Sequence, residues 1–167
     1  GPPAAGKEER PGRGRPLDAG LALVVDDSPV NRLVASRLLG TLGFSVEEAD
    51  DGEAALLRFR PGRYRLILMD RRMPGLDGME VTRRIRRLEN GSDAPRTPIV
   101  GVTGDTEAAA LAECRAAGMD EVAVKPLRLA DVRAIAARWS PPEQGRGEDG
   151  LAPDGAAEPD EDLRRAA

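Results

Sequence analysis

Five short apolar runs, each closed by a polar residue and followed by a helix-like pattern, constrain this chain more than any other feature. The runs cover 21–25, 44–46, 66–69, 99–102 and 122–124. They are too short for helices and almost wholly apolar, which suits strands buried on both faces. Between them lie amphipathic stretches with helix punctuation. Ser28-Pro29 is an N-cap followed by Pro at the first helical position, Leu33, Val34, Leu38 and Leu42 form an apolar stripe, and Gly43 is the stop. Asp51-Gly52 opens a second helix carrying Ala54, Ala55, Leu56, Leu57 and Phe59, and Pro61-Gly62 ends it. Asp77 caps a third with Met79, Val81, Ile85 and Leu88 inward. A fourth runs over about 106–117, and Leu129, Val132, Ile135, Ala136 and Trp139 mark the last. Five βα units in succession predict an α/β fold, a doubly wound parallel sheet of flavodoxin-like (βα)5 type with strand order 2-1-3-4-5.

Composition sets the limits of this domain. Residues 1–20 and 140–167 are rich in Gly and Pro and nearly free of large aliphatic side chains, so both are expected to be disordered, the second as an acidic tail. The folded part is expected over 21–139, where 18 acidic and 18 basic residues balance. The net charge of -4 argues against a strongly basic nucleic-acid binder; because it comes from the tails, it leaves no net-charge argument about the partners of the folded part, from which no direct nucleic-acid contact is expected. The start at Gly1-Pro2 instead of Met suggests a piece of a longer protein. No run of about 18 apolar residues exists and no signal-peptide pattern opens the chain, so no membrane contact is expected of this segment and a cytoplasmic location is. His is absent, which excludes Ser-His-Asp and Cys-His nucleophile systems and His-ligated metals. The single Cys114 excludes an intrachain disulfide.

In an open parallel sheet the site lies beyond the carboxyl ends of the strands. The residues there are Asp26 and Asp27 after the first strand, Asp70 after the third, Thr103 after the fourth and Lys125 after the fifth. Three crowded carboxylates are hard to keep ionised, and a hard divalent cation, Mg²⁺, relieves the repulsion. A lysine ammonium and a threonine hydroxyl beside them suit a phosphoryl group under attack by a carboxylate. The folded part contains 18 cations and only one is a Lys, which sets Lys125 apart.

The chain resembles the receiver domains of the two-component response-regulator family. The likeness rests on Val24-Val-Asp-Asp-Ser-Pro-Val-Asn31, Leu68-Met-Asp-Arg-Arg-Met-Pro-Gly-Leu-Asp-Gly78, Val102-Thr103-Gly104 and Val124-Lys125-Pro126, in this order and each at a strand end. The Val-Asn pair and Ala117-Gly-Met-Asp120 are most similar to receivers attached to hybrid histidine kinases. The resemblance implies that Asp70 is the phosphoacceptor, with Mg²⁺ held by Asp27 directly, by Asp26 mostly through water, by Asp70 and by the backbone carbonyl of Arg72. It implies that Thr103 and Lys125 contact phosphoryl oxygens. The donor would be a phosphohistidine on a histidine kinase or phosphotransfer protein, possibly in the same parent chain, and a homodimer is a further possible partner. The only catalysis implied is the domain's own phosphorylation and dephosphorylation. A pseudo-receiver, a protein-interaction module that is never phosphorylated, is the alternative.

Two features depart from the family. Val122 stands where many receivers carry an aromatic ring, so a ring flip cannot report phosphorylation, and the domain is expected to signal weakly through that face or by another route such as the loop after Asp70. Arg71 and Arg72 follow the acceptor, and Arg72 is expected to pair with Asp105 over the mouth of the site and prolong the phosphoryl state. The run Arg83-Arg84-Ile85-Arg86-Arg87 is expected to be a solvated helix face. A dehalogenase-like phosphatase needs a second Asp at position 72, where Arg stands, and GxxxxGK[ST] does not occur.

Overall fold

The computed structural model describes residues 18–140. Within them the chain runs β1 (Gly20–Val25), α1 (Pro29–Thr41), β2 (Phe44–Ala49), α2 (Gly52–Arg58), β3 (Leu66–Asp70), α3 (Gly78–Asn90), β4 (Ile99–Thr103), α4 (Ala108–Ala117), β5 (Glu121–Val124) and α5 (Leu129–Trp139). All neighbouring strands pair in parallel, in the order β2-β1-β3-β4-β5, as the alternation of runs and helices predicts. β1 begins one residue inside the expected N-terminal tail. Asp18, Ala19 and Ser140 also fall in the expected tails and are described, while 1–17 and 141–167 lie outside the described residues. No described helix is long and apolar enough to cross a membrane.

Strand periodicity divides the core in two. Leu23, Val25, Ile67, Met69 and Ile99 point to one face and pack with Ala55, Val81, Ile85 and Cys114 of α2, α3 and α4. Ala22, Val24, Leu66, Leu68, Val100 and Val102 point to the other, against Ala35 and Leu39 of α1 and Val132 and Ile135 of α5. β3 and β4 are buried along their whole length, which is why they read as unbroken apolar runs.

The helix starts follow their caps. The Ser28 hydroxyl accepts from the Asn31 N–H at 3.2 Å, Asp51 accepts from Ala54 at 2.8 Å, and Asp77 accepts from Glu80 at 2.9 Å. The inward faces differ from the expected stripes. On α1 the buried pair is Ala35 and Leu39, spaced i, i+4, while Leu33 and Val34 are exposed. Leu38 and Leu42 are partly buried against the same core, as expected. Leu57 and Leu88, like Leu33 and Val34, are exposed. The arginine run on α3 is solvated only in part. Arg86 turns inward, and its guanidinium donates to the carbonyls of Gly118 and Thr97 and pairs with Glu89 and Asp120.

Gly78, the first residue of α3, ties the fold to the rim. Its N–H donates to the Arg71 carbonyl at 3.0 Å, and a Cβ placed on it would sit 2.1 Å from the Asp70 carbonyl oxygen. Only a residue without a side chain lets α3 start this close to the end of β3. A Gly78→Ala substitution is expected to cost about 1–3 kcal/mol in urea unfolding, because backbone must shift to admit the methyl group.

Candidate functional site

Parallel register brings the strand ends level. Val25 pairs with Met69, Asp70 with Val102 and Thr103 with Val124, so the residues that follow converge on one rim. Asp26, Asp27 and Asp70 each present a carboxylate oxygen within 4.8 Å of the others. Lys125 reaches them from β5, with Nζ 3.0 Å from Asp70 Oδ1 and 3.6 Å from Asp26 Oδ2. The Thr103 hydroxyl completes the group at the end of β4 and accepts from the Asp105 N–H at 2.9 Å. These side chains line an open cleft of about 400 Å³.

The five residues differ in exposure. Asp26, Asp70 and Thr103 are buried, Asp27 is exposed and Lys125 is intermediate. Asp26 is fixed at both ends: its carboxylate accepts from the Ser28 N–H at 2.9 Å, and its carbonyl accepts from Arg32 Nη1 at 2.8 Å. Arg32 is in turn paired with Glu48 on β2. Sequence reasoning missed this arginine. Its only signal is the spacing i, i+6 from Asp26, which one turn of helix after a short loop brings back toward the strand end.

Burial pushes the Asp70 carboxyl up to about 6. The hydrogen bond from Lys125 opposes that rise, and the charges of Asp26 and Asp27 add to it. Burial works against the Lys125 ammonium as well, but its hydrogen bond to Asp70 and the field of both buried carboxylates outweigh this and hold it above its ordinary value. The rim thus carries more negative charge than one lysine neutralises, a donor set of hard oxygens suited to Mg²⁺.

The arginines after Asp70 correct one expectation. Asp105 pairs with Arg71, at 3.8 Å, and not with Arg72. Strand parity explains the exchange: Arg71 continues the series Ile67, Met69 and so points to the α2–α4 face, where it also meets Glu113 of α4 at 2.9 Å. Arg72 is exposed at the cleft and among the described residues makes no ion pair. Val122 is half-buried against the core on the α2–α4 face.

Residues 22–137 match the response regulator receiver domain family. The chain belongs to that family. As a receiver domain of two-component signalling it is similar to a part of a much longer sensor protein. It is 37% identical over 150 residues to the virulence sensor protein BvgS of Bordetella pertussis, a match that covers 84% of this chain and 12% of BvgS. Among solved structures, the receiver domain of the sensor histidine kinase PA1611 from Pseudomonas aeruginosa is 38% identical, with a TM-score of 0.63 over 72% of this chain and 96% of that one. That structure carries a magnesium ion coordinated in its active-site cleft. The receiver domain of Saccharomyces cerevisiae Ssk1, solved with the histidine phosphotransfer protein Ypd1, is 26% identical with a TM-score of 0.68, covering 74% and 90% of the two chains.

The charge balance of the rim has a consequence for stability. A carboxyl whose folded pKa lies above its unfolded value, about 3.9, costs the fold stability as pH rises through the window from about 4 to about 6. Asp70→Asn is therefore expected to stabilise the metal-free receiver at pH 7.5 by about 1–3 kcal/mol, and to do nothing below pH 4. Thermal unfolding in chelator across this range checks it.

Proposed function

We propose that this receiver takes a phosphoryl group from a phosphohistidine onto Asp70 and changes conformation to control signalling. The observation that carries the reading is Asp70 itself, a buried carboxylate bonded to Lys125 and set among two further carboxylates and a threonine hydroxyl at one rim. The likeness to the receiver domain of a sensor histidine kinase and to a receiver solved with a phosphotransfer protein supports a histidine kinase or such a protein as donor. The chain has no His of its own, so the phosphohistidine must come from another domain. The receiver is taken to span 21–139 of a cytoplasmic segment.

Asp26, Asp27 and Asp70, with the Arg72 backbone carbonyl, would hold Mg²⁺. When bound, the ion supplies positive charge against the phosphoryl oxygens. An ionised Asp70 oxygen attacks phosphorus in line, the O–P bond forms, and the P–N bond breaks with its electron pair returning to the imidazole. Lys125 lies 3.0 Å from the attacking carboxylate and transfers its hydrogen bond to a phosphoryl oxygen as charge develops there. The Thr103 hydroxyl has its proton free to donate, because its present bond uses only its oxygen as acceptor. Water later cleaves the acyl phosphate and restores the carboxylate. The only chemistry is thus the domain's own phosphorylation and dephosphorylation.

Intact-mass analysis after incubation with Mg²⁺ and acetyl phosphate tests this. The receiver is expected to gain one phosphoryl mass, Asp70→Asn to gain none, and Lys125→Met to react about a hundredfold more slowly. If neither acetyl phosphate nor a phosphorylated phosphotransfer protein adds mass, the reading fails and a pseudo-receiver takes its place.

A further inference from the structure

Arg71 is bonded directly to Asp70 along the chain, and its guanidinium reaches across to α4. Its backbone is held on both sides, the N–H by the Val102 carbonyl and the carbonyl by the Gly78 N–H, both at 3.0 Å. The guanidinium crosses to the neighbouring element. Nη2 donates to Glu113 Oε1 of α4 at 2.9 Å, while Nη1 stops 3.8 Å from Asp105 Oδ2 on the loop between β4 and α4. Nε and Nη1 are buried and make no hydrogen bond among the described residues. Buried donors left unmade are costly, and a small shift would bring the Asp105 carboxylate, 3.8 Å away, within hydrogen-bond reach of Nη1. Closing the Asp105 contact to hydrogen-bond distance would satisfy Nη1 at the expense of the Glu113 geometry. Asp105 is tied in turn to the site, since its N–H donates to the Thr103 hydroxyl.

We propose that Arg71 is a positioning residue that shifts its hold between Glu113 and Asp105 and so passes the state of Asp70 to α4. The proposal rests on the reading of Asp70 as phosphoacceptor. A phosphoryl group there draws the Thr103 hydroxyl toward itself, the Asp105 amide follows, and the Asp105 carboxylate closes on Nη1. Arg71 then loosens from Glu113, and α4 is released from the end of β3. Val122 has no polar or aromatic group with which to carry the same message, whereas the arginine spans the whole distance.

Amide spectra of the ¹⁵N-labelled full chain, with and without Mg²⁺ and beryllofluoride, test it in the parent, Glu113→Gln, Arg71→Met and the double variant. Glu113 carries the test because its side chain is 60% exposed and its loss leaves the core intact. In the parent, beryllofluoride is expected to shift amides at Gly104 and Asp105 and along 108–117. In Glu113→Gln the shifts at the site stay and those along α4 shrink about twofold or more. The double variant loses no more than either single one. A merely structural ion pair would lower the melting temperature and leave the α4 response in place, which overturns the proposal. So does a parent whose site responds while α4 is silent, with the phosphoacceptor reading intact. A parent with no response anywhere overturns both.

Discussion

Like charge crowded at the carboxyl end of a parallel sheet is the constraint on which this receiver depends. Asp26 and Asp70 are buried within a few ångströms of each other and of Asp27, with one ammonium among them. Burial lifts the Asp70 carboxyl toward neutral pH, so the resting fold holds a carboxylate that is poorly satisfied there. On the proposed function, a group in that condition would gain from a divalent cation and from a phosphoryl group that recruits Lys125 and Thr103. The proposed reactivity and the local instability at this rim would then share one physical origin.

The rest of the fold serves to keep that rim in place. Register levels the strand ends, and two apolar layers of opposite parity clamp the sheet between α1 and α5 on one side and α2 to α4 on the other. Gly78 lets α3 begin against the Asp70 carbonyl, and Arg32 fixes the carbonyl of Asp26. Parity then sends successive residues after Asp70 in different directions: Arg71 into the contact with α4, Arg72 to the cleft and solvent. One strand end thereby faces both the site and the helix beside it.

Much of this was legible from residue order. The all-apolar runs of β3 and β4 identify buried parallel strands, and Ser28, Asp51 and Asp77 cap the helices that follow them, as expected. The convergence of the five rim residues follows from parallel topology alone. What failed depended on direction in space. The stripe on α1 held at Leu38 and Leu42, which pack against the core, but not at exposed Leu33 and Val34, and small Ala35 was missed because apolar size was the guide. Asp105 was assigned to Arg72 although strand parity points to Arg71, which shows that the period of two persists one residue beyond β3. Arg86 was taken as solvated, yet carbonyls from distant loops, invisible to local periodicity, draw it inward.

Magnesium binding is where these physical claims meet most directly. Isothermal titration of the chelator-treated receiver with Mg²⁺, beside Asp27→Asn and Asp70→Asn, separates them. One site is expected in the parent, with affinity at least about tenfold weaker in each variant, since each removes one hard anionic oxygen donor from the cluster. A parent that binds no Mg²⁺, or variants that bind it as well as the parent does, would contradict the view that crowded carboxylates at this rim are built around a cation.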